Sequence, residues 1–423
     1  VLHWRLRGFE RPRPATLNRR RPLPKIVVPK IAEPKIVRSL RREWQRVNLR
    51  WQAWRSRRQP RDDAAVLVVR LDNIGDFVLW LDGTRAIRHR YPRPDYRITL
   101  AASAEFADFA ASSGLFDDVI AVDRRRLGSD TDYRSLLWRQ ISGLRAAVAV
   151  NPTFSRTFAS DELIRASGAP LRIGIDGDFA NQSSRKRARS DRWYSQLVDI
   201  PAGLHEIEAN AAFARQFDAA AKPARPRLEP TMIARPDWLD DAHGYIVAFP
   251  GAGLTAKQWP PERFAAVIDR IHAQTGWSTL LCGHASDTEI AAGILRRTNA
   301  KRVHNMCGHT TLNELAEVLK SAKLLLANDT GAAHIAAAVD CPVVVPFGGW
   351  HFGRFLPYPA LIDPPPATVR PVFVPMPCYR CDARCIYPRA DDDPFACLDR
   401  VTIDAVWDAV SPLIAPAGGQ AAR

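Results

Sequence analysis

The sequence predicts an α/β protein built from two doubly wound, Rossmann-like domains that face each other across a cleft. Three observations lead to this fold class. Apolar strand-like runs alternate with helical segments in both halves of the chain. A Pro-rich stretch, residues 221–230 (AKPARPRLEP), separates the halves and reads as an interdomain linker. Strand-to-helix turns in each half carry Gly beside polar side chains. At such turns a parallel sheet presents backbone N–H groups and a helix N-terminus to an anion.

The chain has 423 residues, enough for two cores, and 18 of its 60 basic but only 3 of its 45 acidic residues lie in residues 1–60. The excess positive charge therefore belongs to this extension, and the remaining 42 basic and 42 acidic residues balance. Its first part repeats Pro-Lys-Ile at 24–26, 29–31 and 34–36, a pattern of extended, solvated chain. Over 36–58 the residues Val37, Leu40, Trp44, Val47, Trp51 and Trp54 fall on one stripe of a helix, with arginines around it. Two readings stay open for that stripe. It packs on the protein's own body or a second subunit, or it lies on an anionic membrane surface.

The first domain is expected over 65–220. AVLVVR from Ala65 reads as a buried strand, followed by the turn Leu71–Asp76 and a helix from Phe77. Further strands are expected at 97–101, 119–122 and 146–150, and a helix over 206–219. The second domain is expected over 231–415. Its strand 245–249 leads into Pro250-Gly251-Ala252-Gly253 and a helix near 261–274. Strand 278–282 precedes a helix near 286–297, and Thr311 with Glu314 has the spacing of a capping box. Strand 323–327, the polar turn Asn328-Asp329-Thr330-Gly331, a helix from about Ala332 and a strand from Val343 complete the alternation.

No run approaches the 18 consecutive apolar residues of a membrane span, and the basic start is not followed by the apolar core of a signal peptide. Four of the seven cysteines crowd into 378–397, which without an export signal favours reduced thiols or a metal site over disulfides. The expected location is the cytoplasm, with peripheral attachment to the inner membrane if the basic arm binds lipid.

Four local signals carry chemistry. Asp76 beside Gly75 places a carboxylate at the C-terminal edge of a parallel sheet; Asp72 competes with it, and an N-cap role is the structural alternative. In PGAGLTAKQWPPERF, Gly251 and Gly253 permit close backbone approach, Thr255 offers a hydroxyl and Lys257 a cation, a set suited to phosphate. In the turn 328–331, Thr330 and Gly331 can present N–H groups, Asp329 can accept from sugar hydroxyls, and His334 follows one turn into the helix. Asp287 and Glu289, after the strand at 278–282, are candidates for a ribose diol.

Together VLVVRLDNIGDFVL, PGAGLTAKQWPPERF, NDTGAAHIAAAVDCPVVVPFGG and the terminal cysteine segment resemble glycosyltransferase family 9, over roughly residues 65–415. That family includes the ADP-heptose heptosyltransferases of lipopolysaccharide assembly. The resemblance implies a GT-B fold and an inverting transfer from a nucleotide-diphosphate sugar, with no catalytic metal or cofactor. It implies Asp76 as the base on the acceptor hydroxyl. It implies further that Lys257, Thr255, Thr330 and Gly331 hold the diphosphate, and that Asp329 holds the donor sugar. Ser155 and Arg156 lie where members often contact the acceptor, and Arg185, Lys186, Arg187, Arg189 and Arg192 add a basic cluster that would suit phosphorylated lipid A–core, a solvated charged loop being the commoner reading. The long basic extension departs from the family pattern.

Cys378, Cys381, Cys385 and Cys397 follow a C-x2-C-x3-C-x11-C spacing, which can form a structural Zn or Fe site; free thiols or disulfides are the alternative. A nucleic-acid partner is not expected, because the body is neutral. A dehydrogenase is disfavoured by the absence of G-x-G-x-x-G after the first strand. The rival reading is a non-catalytic sugar-nucleotide-binding or scaffold protein docked by its basic arm.

Overall fold

The computed structural model describes residues 40, 43–44, 47–51, 54, 60–228, 244–360, 362 and 369–415. The repeat at 24–36, Val37 of the stripe and the last two residues of the linker, 229–230, lie outside these residues. The chain divides into two compact units, residues 1–44 and 45–423. In the first, the described apolar side chains Leu40 and Trp44 are exposed. The second contains both sheets.

The first sheet consists of β1 (Asp62–Arg70), β2 (Arg97–Ser103), β3 (Asp118–Val122), β4 (Ala146–Asn151), β5 (Leu171–Ile175) and β6 (Gln196–Val198). All pairings are parallel and the order is β3-β2-β1-β4-β5-β6. The second consists of β7 (Tyr245–Phe249), β8 (Ser278–Leu281), β9 (Val303–Asn305), β10 (Leu325–Ala327), β11 (Val343–Pro346) and β12 (Val369–Val372), again all parallel, in the order β12-β11-β10-β7-β8-β9. Both sheets thus have the same doubly wound topology, each with its first strand paired to its fourth. Val66 pairs with both Ile98 and Val148, and Leu325 with both Val247 and Val343. The runs Val66–Val69 and Val343–Val345 are fully buried because helices cover both faces.

Four strands escape sequence reading. β6 and β9 are three residues long, β5 alternates little, and β12 contains Pro371, which is tolerated because β12 is an edge. The expected helix 206–219 stops at Ala214, and the expected strand 323–327 begins at Leu325. The Thr311–Glu314 capping box forms as the spacing predicts.

Seven helices bear on the site or on the sequence expectations: α1 (Ile74–Leu79), α2 (Ser184–Asp191), α3 (Glu206–Ala214), α4 (Pro261–Thr275), α5 (Thr288–Leu295), α6 (Gly331–Ala338) and α7 (Ile403–Ile414). α1 follows β1 and α6 follows β10, so each starts at the switch point of its own sheet, where doubly wound folds bind ligands. The two helices pack on each other across the cleft.

The described residues between 47 and 54 are helical. Val47, Trp51 and Trp54 are exposed, whereas Leu49 is buried in the cluster containing Trp138, and the Asn48 side chain donates to Ser135 Oγ at 2.9 Å. Burial of the stripe on the protein's own body is therefore not met at Val47, Trp51 and Trp54, and the readings of a second subunit or a membrane surface are untouched. Leu49 lies two residues from Trp51, on nearly the opposite side of the helix, and supplies the packing instead.

Candidate active site

The turn after β1 is organised by Arg70, whose side chain is fully buried. Its Nε donates to Asp72 Oδ1 at 3.1 Å, its Nη2 lies 3.0 Å from Asp72 Oδ2, and the same Nη2 donates to the Asp76 carbonyl at 2.9 Å. Asp72 is thus engaged on both oxygens by one guanidinium. Asp76 accepts a single bond, from the Asn73 N–H at 3.2 Å, in a capping box that starts α1. Between the two competing carboxylates, Asp76 is the one with lone pairs to spare. Burial, and then the charge of Glu206, hold its carboxyl above the usual aspartate range, against the pull of Arg70 and Arg354.

Across the cleft, the loop after β7 and the turn after β10 are joined by the fully buried Asn328. Its Nδ2 donates to Pro250 O at 2.6 Å and its Oδ1 accepts from Trp259 N at 3.0 Å. Asp329 Oδ2 accepts from Trp350 Nε1 at 3.0 Å, and the Lys257 ammonium stands 5.0 Å over the same indole. Burial pushes the Asp329 carboxyl up to about 6 and lowers Lys257, which the Asp329 charge partly restores. Thr330 caps α6 without a side-chain bond, and its Oγ1 is a buried hydroxyl with no hydrogen-bond partner. An orphaned hydroxyl beside the free N–H groups of a helix N-terminus is the arrangement an anionic oxygen would satisfy.

The two halves meet closely. A Cβ on Gly75 would stand 3.1 Å from His334 Cδ2 and 3.4 Å from Gly331 Cα, and one on Gly331 would overlap Ile74 Cγ2. Only glycines let the first turn of α1, with Asp76, approach the first turn of α6. Beside this contact a cavity of about 280 Å³ is lined by Phe154, Asp178 and Glu206 from the first domain and by Trp350, Phe352 and Arg354 from the second.

Several expected site residues take other places. Arg156 is fully buried and paired with Asp161 at 3.0 Å and with Asp191, so it holds the core of the first domain together and does not face an acceptor. Its neighbour Ser155 does face the cleft, donating to Asp178 Oδ2 at 2.8 Å and accepting from Arg354 Nη2 at 2.9 Å. In the basic cluster on α2, Arg187 is buried against Asp191 and Asp176, and Lys186 and Arg189 cover the Phe158 ring. Glu289, in the first turn of α5, is 87% exposed and pairs with Arg296. Asp287 is the acidic side chain turned toward the loop after β7, filling the space in which a Cβ on Gly251 would sit. Gly253 has open space around it, and Thr255 is exposed. His334 is buried, bonds Tyr358 Oη through Nδ1 at 2.8 Å, and is pushed down to about 3 by burial; it is a neutral packing group.

The structural Zn or Fe site expected at the four cysteines is not shown. Among the described residues no three His, Cys, Asp or Glu side chains converge closely enough to hold an ion. Cys397 is buried and its sulfur accepts from Gly349 N at 3.4 Å, while Cys378, Cys381 and Cys385 are partly exposed. The segment instead walls a second cavity of about 590 Å³, whose rim Thr255 shares with Cys385 and Tyr387.

Sequence reading passed over Arg70, Glu206, Asn328, Trp350 and Arg354. Asn328 stood inside the quoted turn, and its polarity directly after an apolar strand was a usable signal. Glu206 and Arg354 had none, because nothing local marks an exposed-type residue that a distant one will pair with.

A family model described as "Glycosyltransferase family 9 (heptosyltransferase)" matches residues 144–362. Among curated proteins, lipopolysaccharide heptosyltransferase 3 of Escherichia coli is 27% identical over 185 residues, 42% of this chain and 53% of that protein. The chain thus matches about half the length of that relative. Lipopolysaccharide heptosyltransferase 1 of Pseudomonas aeruginosa is 26% identical over 299 residues, 67% of this chain and 78% of that protein. Among solved structures, the E. coli ADP-heptose lipopolysaccharide heptosyltransferase II superposes with a TM-score of 0.60 at 18% identity, over 83% of this chain and 98% of that one. The last comparison bears on fold, which is GT-B.

Proposed function

The chain belongs to glycosyltransferase family 9, and from that premise we propose that it transfers a heptose, with inversion, from a nucleotide-diphosphate donor such as ADP-heptose to a lipopolysaccharide-core acceptor. The observation that carries this reading is the contact of α1 on α6. It brings a carboxylate with a raised proton affinity, Asp76, against a helix N-terminus with an orphaned hydroxyl, Thr330.

In the reaction the acceptor hydroxyl oxygen bonds to C1 of the donor sugar on the face opposite the diphosphate. Asp76 takes the hydroxyl proton. The bond from C1 to the diphosphate oxygen breaks, and the nucleotide diphosphate leaves with the electron pair. Thr330, Gly331 and Lys257 stabilise the charge growing on that leaving group, the electrostatic part of the catalysis. Asp329, oriented by Trp350, accepts from sugar hydroxyls, and Ser155 lies on the acceptor side of the cleft. The heptose in this proposal is supported by the names of the curated relatives.

The test is Asp76→Asn with ADP-heptose and a heptose-deficient lipopolysaccharide. Transfer should fall about 10²–10⁴-fold while ADP affinity is kept, because the carboxylate acts on the acceptor. Full transfer activity in the variant would remove Asp76 from the mechanism.

The same proposal places the protein at an anionic leaflet through its basic extension. Among the described residues no helix is long and apolar enough to cross a membrane. Val47, Trp51 and Trp54 present an exposed apolar side, and the sequence of segment 1–60 carries 18 basic residues. Binding of the full chain to phosphatidylglycerol vesicles should weaken in Trp51→Ala/Trp54→Ala. Equal binding would end the membrane reading.

A further inference from the structure

We propose that Glu206 is a positioning residue for the transfer: it bridges two guanidinium groups, one from each domain, that flank Asp76, and so keeps Asp76 a competent base. Glu206 opens α3 and is 4% exposed. Its two oxygens face different partners. Oε1 lies 3.7 Å from Arg70 Nη2, and Oε2 lies 3.5 Å from Arg354 Nε. Its backbone N–H donates to the Arg354 carbonyl at 2.8 Å, so the bridge is anchored through the main chain as well. His205 adds a second tie between the same segments, with Nε2 2.9 Å from Phe355 O.

A buried guanidinium needs a carboxylate, and the supply here is limited. Arg70 holds Asp72, and Arg354 holds Ser155 and stands 3.9 Å from Asp178. Without Glu206, the unbalanced charge of both cations falls on Asp76, whose side chain has only one hydrogen-bond donor. That would favour the ionised form and weaken the carboxylate as a proton acceptor. Other groups around Asp76 do not substitute for the bridge. Asp329 is engaged by Trp350 and Lys257, His334 is neutral, and Asp82 on the neighbouring helix is paired with Arg85.

The inference rests on Asp76 being the base. Its test is the pH dependence of kcat in the full chain with ADP-heptose and heptose-deficient lipopolysaccharide, beside ADP binding by calorimetry. Glu206→Gln should keep ADP affinity, lower the plateau rate and move the acid limb to lower pH. Arg354→Gln should move the limb the other way, and it carries the test alone if Glu206→Gln does not fold. Glu206→Asp should return the limb toward its original position. Asp76→Asn is run in parallel, so the two ideas fail separately. An active Asp76→Asn overturns the base assignment. An inactive Asp76→Asn, with the limb unmoved in the Glu206 and Arg354 variants, overturns the role of Glu206 and leaves it a packing group.

Discussion

Replacing Gly331 by Ala adds one methyl group at the point where the two domains touch. In most helices that change is favourable, by roughly 0.5–1 kcal/mol, because Gly is the poorer helix former. Here the methyl would overlap Ile74 Cγ2 and stand 3.1 Å from Gly75 N and 3.6 Å from Gly75 Cα. Carbon contacts are normally about 3.5–4.0 Å, and Gly75 is backbone, which cannot rotate away. α1 and α6 must therefore separate by some tenths of an ångström. Overpacking of this kind costs about 1–3 kcal/mol, and if the cost falls on the state with the helices in contact, transfer slows about 5–150-fold. The assay is kcat/KM for transfer with the melting temperature and ADP affinity beside it. ADP affinity should change least, since the Gly331 N–H remains. Ile74→Ala removes the overlapping methyl, so the double variant should recover activity, with a coupling of about 0.5–3 kcal/mol. Wild-type or faster transfer in Gly331→Ala, with an unchanged or raised melting temperature, would refute the reasoning that Asp76 works through this contact.

Lys257→Ala should weaken ADP binding by about 1.5–3 kcal/mol and slow transfer as well, because in the proposed reaction the cation faces the leaving diphosphate; calorimetry that finds ADP affinity unchanged places Lys257 outside the site. Asp329, held up to about 6 by burial, keeps its proton in the native state at pH values where the unfolded chain has lost it, so native stability falls as pH rises from about 4 to about 6. Melting curves across that window should be flatter for Asp329→Asn, and an equally steep slope would contradict the assignment. With the thiols of Cys282 and Cys341 pushed up to about 12 and Cys307 to about 11 by burial, and Cys397 buried, only Cys378, Cys381 and Cys385 should react promptly with a thiol reagent. Protection of those three in freshly purified protein, together with stoichiometric Zn or Fe, would instead show that the quartet holds an ion.

What the sequence determined by itself was whatever depends on near neighbours along the chain. The apolar runs at 65–70, 245–249 and 343–346 specify buried parallel strands, and Thr311 with Glu314 specifies a helix start, because periodicity and capping act within a few residues. The turns at 72–76 and 328–331 were legible for the same reason, as polar and Gly residues set between a strand and a helix. What only the tertiary structure decided was which charged groups meet. Arg156 and Arg354 are alike in sequence, each an arginine in a loop near aromatic residues. One is fully enclosed by Asp161 and Asp191, and the other reaches across the cleft to Ser155 and Glu206. Glu289 and Asp287 stand two residues apart, yet one is solvated and the other fills the space above Gly251. Desolvation and Coulomb energy depend on distance through space and on the medium between the charges. The chain does not define either quantity until the two sheets have packed, and for that reason the juxtaposition of Asp76 with Glu206 and with the first turn of α6 became visible only in the folded protein.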